Sequence, residues 1–326
     1  MNYFVTGATG FLGGYITSYL LEGGHLVTAL VSSRDEARDM AAFGVRPHVA
    51  AVTDKEAMRR GMRGADGVFH VAGHRLGIAD RKLAEAVHVE GTRNVFELVR
   101  ELSIPKVVHT STVSVFSDTK GRIPDESYRF TGRHITRYDA LRAQAHYDVA
   151  LPMMSSGVPG VILMPGATYG PRDTSAMARL LTEFLLGRIR FASDATSYCW
   201  AHVEDVAQAH VLAMEFGRPG ETYIVGGEPH TVWAVLAEAG RLVGRTHPPF
   251  RLPSLVVKPL ASVTAGLARV LPPLRPTADR LRVESGVTYL GDDSKAREEL
   301  GFAPRLLADG LPEAIQWLLR DLFERV

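Results

Sequence analysis

One cysteine, Cys199, stands alone in the chain, so no disulfide can close within it, and no Cys/His group has the spacing of a metal site. A reducing compartment suits that poverty, and no metal is expected. Long hydrophobic runs are missing too. A spanning helix needs about 18 or more apolar residues in a row, and the richest stretch, 252–271, is broken by Lys258 and Arg269. An excess of one charge is also absent: 37 Lys and Arg face 36 Asp and Glu, so no overall field draws the chain to nucleic acid or to an anionic membrane. The N-terminus has no basic region ahead of an apolar one and runs at once into a glycine turn, which makes a secretory leader unexpected and the cytoplasm the expected address. Repeats and low-complexity tracts are lacking, which excludes solenoids.

What is present is ordinary globular material, 46% hydrophobic and 22% charged. The length of 326 residues exceeds one usual hydrophobic core and suits a nucleotide-binding part with a smaller substrate-holding part. Up to about residue 165, β-branched runs at 3–6, 26–31, 46–51, 67–71, 106–110 and 160–164 alternate with helical stretches near 11–22, 35–43, 55–62, 80–102 and 137–156. That alternation predicts parallel strands joined by right-handed crossovers, an α/β doubly wound Rossmann sheet. After Pro171 the alternation weakens, with strands expected only near 197–201 and 221–225. A dinucleotide-binding domain over 1–170, to which some later elements return, and a smaller, mostly helical substrate lobe over 171–326 are the expected units. The proline-rich, apolar stretch 246–275 suits a substrate cover.

Directly after the first strand come Gly7, Gly10 and Gly13, then an amphipathic helix. In that context the three glycines serve different ends: one permits the tight turn, one lets backbone approach a pyrophosphate, and one lets the helix pack on the strand. The free N–H groups at the helix start then face anionic oxygens. An acidic residue at the end of the second strand would bind the ribose 2′-OH of NAD. Here the strand ends in Ser32, Ser33 and Arg34, and a guanidinium beside hydroxyls favours the 2′-phosphate of NADP, with NAD possible.

The chain resembles the extended short-chain dehydrogenase/reductases, the group of sugar-nucleotide epimerases, hydroxysteroid dehydrogenases and dihydroflavonol reductases. Besides the glycine turn, the matching stretches are 64–72 (GADGVFHVA), 89–92 (VEGT), 165–171 (PGATYGP) and 202–207 (HVEDVA). The resemblance implies that Gly7, Thr9, Gly10, Phe11, Leu12, Gly13, Ser32, Arg34, Ala72, Tyr138, Arg142 and Pro165 contact the dinucleotide. It also implies a catalytic set: Tyr138 as general acid/base, Arg142 four residues on as its cationic partner, and Thr112 as the hydroxyl that orients the substrate oxygen, with Ser111 and Ser114 near enough to compete. Tyr138 and Arg142 fall on one helix face. Moving a phenol from about 10 to about 7 takes roughly 4 kcal/mol, which a cation about 4 Å away supplies at an effective dielectric of about 20.

Departures from the family pattern are part of the reading. Arg142 replaces the usual Lys, His88 a usual Asn, Ala51 an adenine-contacting Asp, and Met164 an Arg before Pro165. The implied activity is reduction of a ketone or aldehyde, expected to be apolar because of the apolar C-terminal stretches. The alternatives are a nucleotide-sugar epimerase or dehydratase with tightly held NAD, which would use Arg179, Arg188 or Arg190 on a pyrophosphate, and a non-redox dinucleotide-binding protein. The helices near 80–102 and 137–156 resemble the pair through which the family dimerises, so a homodimer is implied.

Overall fold

The computed structural model describes residues 1–73, 81–245, 249–253 and 285–324, with single positions between 254 and 284. Its main sheet has seven parallel strands, β1 (Asn2–Thr6), β2 (Leu26–Val31), β3 (Arg46–Val49), β4 (Gly67–His70), β5 (Val107–Thr110), β6 (Gly160–Pro165) and, much later in the chain, β10 (Thr222–Val225). Their spatial order is β10-β6-β5-β4-β1-β2-β3. Chain direction across the sheet reverses between β1 and β4, and the crevice above that switch point, at the carboxyl ends of the strands, is where such sheets hold ligands.

The pleat sorts side chains by parity. Val5, Val161, Leu163, Tyr223 and Val225 face one side, Phe4, Ile162, Met164 and Ile224 the other. The first side is covered by α1 (Phe11–Glu22) and α9 (Val203–Glu215), whose Ile16, Leu20, Ala209 and Ala213 are buried. Small alanines let these two helices lie close. The second side is covered by α3 (Lys55–Met62), α5 (Gly91–Glu101) and α6 (Arg137–Gln144) through Met58, Met62, Val95, Phe96 and Ala143. Each fully buried side chain of this kind contributes about 1.5–3 kcal/mol, and burial on both faces explains the near-continuous apolar strands.

Two of the expected long helices contain wide π turns. One, Ala86–Glu90, separates α4 (Arg81–Glu85) from α5, and the other, Ala145–Ala150, separates α6 from α7 (Leu151–Ser155). The second has a visible cause: Pro152, in the first turn of α7, lacks an N–H and its ring presses on the preceding carbonyls. Residue 80, the expected start of the first of these helices, lies outside the described residues.

The remaining part is mostly helical among the described residues, as expected, and carries short strands beyond those the sequence suggests. Strands β7 (Ala167–Tyr169), β9 (Ser197–His202), β11 (Pro229–Thr231) and β13 (Thr288–Tyr289) form a second sheet, and β8 (Phe191–Ser193) pairs with β12 (Phe250–Leu252). With α8 (Ala176–Leu185), α10 (Val232–Leu242) and α12 (Leu307–Glu324) they enclose a separate core around Tyr169 and Trp200. A last helix, α11 (Ser294–Leu300), returns to the first layer through Ala296 and Leu300. Most of the stretch 246–275 expected as a substrate cover lies outside the described residues.

Candidate functional site

The glycine turn has no room for side chains. Gly7 sits at φ +75°, and a Cβ there would lie 2.8 Å from the Ala72 nitrogen; one on Gly13 would lie 2.0 Å from the Gly7 carbonyl oxygen. The turn therefore touches the end of β4 on one side and the first turn of α1 on the other. Gly10 caps α1 with no side chain bonded to the first N–H groups, and the first turn holds no acidic residue. Thr9 and Gly10 are exposed, and Phe11 and Leu12 half-buried. These bare donors at a helix start suit a pyrophosphate, so the residues fit a dinucleotide.

At the end of β2 the geometry holds a group that the sequence reading overlooked. Ser33 caps α2 (Arg34–Ala42) by accepting the Glu36 N–H, and the Glu36 carboxylate folds back to accept from Ser32 N and Ser32 Oγ at 2.7 and 2.8 Å. The pattern Ser33-x-x-Glu36 is the signature of a reciprocal cap and would have flagged that return. Arg34 is exposed beside it and has no ion pair among the described residues. A carboxylate and a guanidinium thus share the place where a ribose 2′ substituent is read.

Tyr138 and Arg142 lie in α6, started by Thr136, whose hydroxyl accepts the Asp139 N–H while the Asp139 carboxylate accepts the Thr136 N–H. Arg142 is buried, 6% exposed. Its guanidinium donates to the Thr110 carbonyl and, at 3.3 Å, to His88 Nδ1, while Nε has no partner among the described residues. A guanidinium cannot accept, so His88 Nδ1 carries the lone pair and its proton sits on Nε2. The His88 ring meets Tyr138 edge-on at 5.6 Å. His88, which replaces the family's Asn, thereby bridges the two residues expected to act together.

Other imidazoles surround this group. His70 lies between the hydroxyls of Thr6 and Thr92 at 2.8 and 3.0 Å and stacks on His109 at 5.0 Å. Burial, with the Arg142 charge adding to it, pushes His70 and His146 down to about 3, and His109 is also held well below its usual range. All three stay neutral at pH 7. Ser111, one of the competing hydroxyls, is bound to His146 Nδ1 at 2.8 Å inside the core, whereas Thr112 is half-buried at the cavity wall.

That cavity measures about 960 Å³. Thr112, Ser114, Tyr138 and Pro165 line it, and so do the apolar Met177, Leu180, Ile189, Val232 and Trp317. Of the three arginines weighed for a substrate pyrophosphate, Arg179 lines the cavity, Arg188 is exposed and pairs with Glu183 of the lining, and Arg190 is exposed. Tyr169 and Trp200 are core residues of the lobe.

The cavity also holds Asp173, 5% exposed, which accepts from Ser175 N and Ser175 Oγ at 2.7 and 3.0 Å. Burial outweighs these bonds and pushes its carboxyl up to about 6 from 3.8. The folded value lies above the unfolded one, so the native state binds the extra proton and stability is lost as pH rises through that window. Asp173→Asn removes the penalty. In urea titrations the variant is expected to gain about 3 kcal/mol over the parent at pH 8 and little at pH 4; an equal difference at both pH values would contradict the shift.

A model of the NAD dependent epimerase/dehydratase family matches residues 3–226. The 4-hydroxy-2-methyl-3-oxo-4-farnesyl-3,4-dihydroquinoline-1-oxide ketoreductase of Stigmatella aurantiaca is 31% identical over 313 residues, which cover 94% of this chain and 93% of that protein. Sterol demethylase protein B of Methylococcus capsulatus is 27% identical over 97% of this chain and 98% of its own. Among solved structures, that of gox2253 matches with a TM-score of 0.87 at 28% identity, across 98% of both chains.

Proposed function

This chain belongs to the NAD dependent epimerase/dehydratase family, and from that premise we propose that it is a carbonyl reductase for an apolar ketone or aldehyde, with NADP as its dinucleotide. Membership makes it an oxidoreductase. The narrower reading is carried by one observation: Tyr138 and Thr112 both line a large cavity whose lining is rich in apolar side chains. Two relatives support it by name, since one is a ketoreductase of a farnesylated substrate and another takes part in sterol demethylation.

When bound, the nicotinamide supplies hydride to the carbonyl carbon. The backbone of Gly7, Thr9, Gly10, Phe11, Leu12 and Gly13 holds the pyrophosphate, with Ala72 and Pro165 flanking the dinucleotide from the ends of β4 and β6. Thr112 Oγ1 already accepts the Ser114 N–H at 3.2 Å, so its own proton is left to donate to the substrate oxygen. Tyr138 gives its phenolic proton to that oxygen, which becomes the alcohol. Arg142 is a buried cation with no carboxylate partner among the described residues. Such a charge is costly to bury, and here it stabilises the phenolate left behind.

For the cofactor, Arg34 favours a 2′-phosphate and Glu36 opposes it. Arg34→Ala is expected to raise the Kd for NADP about tenfold, a loss of about 1.4 kcal/mol, and to leave that for NAD within about twofold; an unchanged ratio in equilibrium titrations would remove Arg34 from the pocket. The activity itself is tested by NADPH consumption with a panel of lipophilic ketones, which the purified protein should support. A silent panel, together with a nicotinamide absorbance that survives gel filtration, would overturn the reductase in favour of an epimerase or dehydratase, the reading that Arg179 in the cavity supports.

A further inference from the structure

The two hydroxyls that the reduction needs come from separate segments. Thr112 caps the short turn Val113–Phe116, Tyr138 stands in the first turn of α6, and no helix or strand lies between Phe116 and Arg137 to fix one against the other. Their spacing is therefore set by tertiary contacts. One two-residue strand of the lobe, β13, reaches both segments. The Thr288 carbonyl accepts the Thr119 N–H and hydroxyl at 2.8 and 3.1 Å, Thr288 Oγ1 accepts the Gly121 N–H at 2.8 Å, and the Thr288 N–H donates to Asp118 Oδ1 at 3.0 Å. The next residue, Tyr289, donates its phenolic proton to Asp139 Oδ2 at 3.0 Å, the same oxygen that takes the Thr136 N–H. Asp139 is 3% exposed and directly follows Tyr138. The Tyr289 ring stacks on Tyr198, its register partner in β9, with centroids 5.4 Å apart and planes at 12°, and both rings line the cavity.

We propose that Tyr289 is a positioning residue for the reduction, an inference that rests on the reading of Tyr138 and Thr112 as the groups that meet the substrate oxygen. Strand β13 acts as a strut between them. Two donors serve one carbonyl oxygen only when they converge on it, and a misplacement of about 1 Å can cost about 100-fold in rate. The capping box cannot supply that reference, because Thr136 and Asp139 belong to the same turn as Tyr138 and move with it. The Tyr289 bond ties that turn to the lobe, and the Thr288 bonds tie the chain just beyond Thr112 to the same strand. A packing role would be met by phenylalanine here; the phenolic oxygen is needed for Asp139 alone. Since Tyr198 and Tyr289 also line the cavity, the strut borders the space that the substrate fills.

Steady-state kinetics of the full chain with a ketone that the parent reduces, set beside dinucleotide titration, test it. Tyr289→Phe keeps the ring and its stack on Tyr198 and removes the bond to Asp139; kcat should fall about tenfold, with KM and the dinucleotide Kd within about twofold of the parent. Asp139→Asn keeps an acceptor for the phenol and should hold kcat within about threefold, whereas Asp139→Ala should lose about tenfold or more. Adding Tyr289→Phe to Asp139→Ala should then cost less than about twofold further, because the bond is already gone. An unchanged kcat in Tyr289→Phe would overturn the proposal, as would a loss confined to KM or a full tenfold loss in the Asp139→Ala background. Tyr138→Phe, measured alongside, keeps the two readings apart. A parent silent toward every ketone, or a fully active Tyr138→Phe enzyme, would remove the reductase reading and this inference with it; an impaired Tyr138→Phe beside a fully active Tyr289→Phe would remove the strut alone.

Discussion

Tyr138→Phe is expected to lower kcat about 1,000-fold while leaving the dinucleotide Kd within about threefold, because a positioned general acid contributes about 10²–10⁴ in rate. The substitution removes one oxygen and keeps the ring, so the edge-on contact with His88 at 5.6 Å survives. Tyr138 is half-buried at the start of α6, whose capping box is made by Thr136 and Asp139 and does not involve the phenol. The helix should therefore form as before, and thermal unfolding should be nearly unchanged. Steady-state kinetics with a ketone substrate and fluorescence titration with the dinucleotide separate the two effects. A fully active variant would show that another group protonates the substrate oxygen.

Arg142→Met should cost about 100-fold or more in kcat, whereas Arg142→Lys should cost about tenfold. The first removes the cation one helical turn from the phenol; at about 4 Å and an effective dielectric of about 20 such a charge would be worth roughly 4 kcal/mol to a phenolate. The second keeps the charge but loses the fork that reaches the Thr110 carbonyl and His88 Nδ1 together. Stability should tell a different story. Arg142→Met relieves the burial of a charge that has no carboxylate partner among the described residues, yet it strands an acceptor on Thr110 and another on His88. Each stranded group costs about 1–3 kcal/mol, and the relief offsets much of that, so denaturation midpoints should move little while turnover collapses. Equal activity in the Met and Lys variants would show that charge at this position does not assist the phenol.

Strand β1, helices α1 and α3, and the strand at Gly160 were legible because burial on both faces of a parallel sheet and a 3.6-residue stripe on each helix are local patterns. The glycine turn was legible for a similar reason: three glycines in that spacing, between a strand and a helix, have little other use. The extra strands β7, β8, β11, β12 and β13 went unread because they have two or three residues each, too few to establish a period of two. Nothing in residues 222–225 by themselves says that they pair with β6, more than fifty residues earlier. The hydroxyl competition was equally closed to sequence reasoning. Ser111, Thr112 and Ser114 are chemically alike, and only the placement of His146, carried inward by a π turn, decides that Ser111 is engaged in the core. Glu36 was within reach of sequence reasoning, since its capping signature is local.

By itself the sequence determined the doubly wound sheet, the glycine turn between β1 and α1, and the placing of a phenol and a cation one helical turn apart, because each depends on spacing along a few neighbouring residues. Only the tertiary structure decided what that cation touches, that Ser111 is held in the core while Thr112 and Ser114 line the cavity, and that a carboxylate and a guanidinium stand together at the end of β2. Those outcomes depend on side chains brought together from distant segments, and hydrogen-bond geometry, unlike hydrophobic periodicity, leaves no trace in the order of residues along one segment.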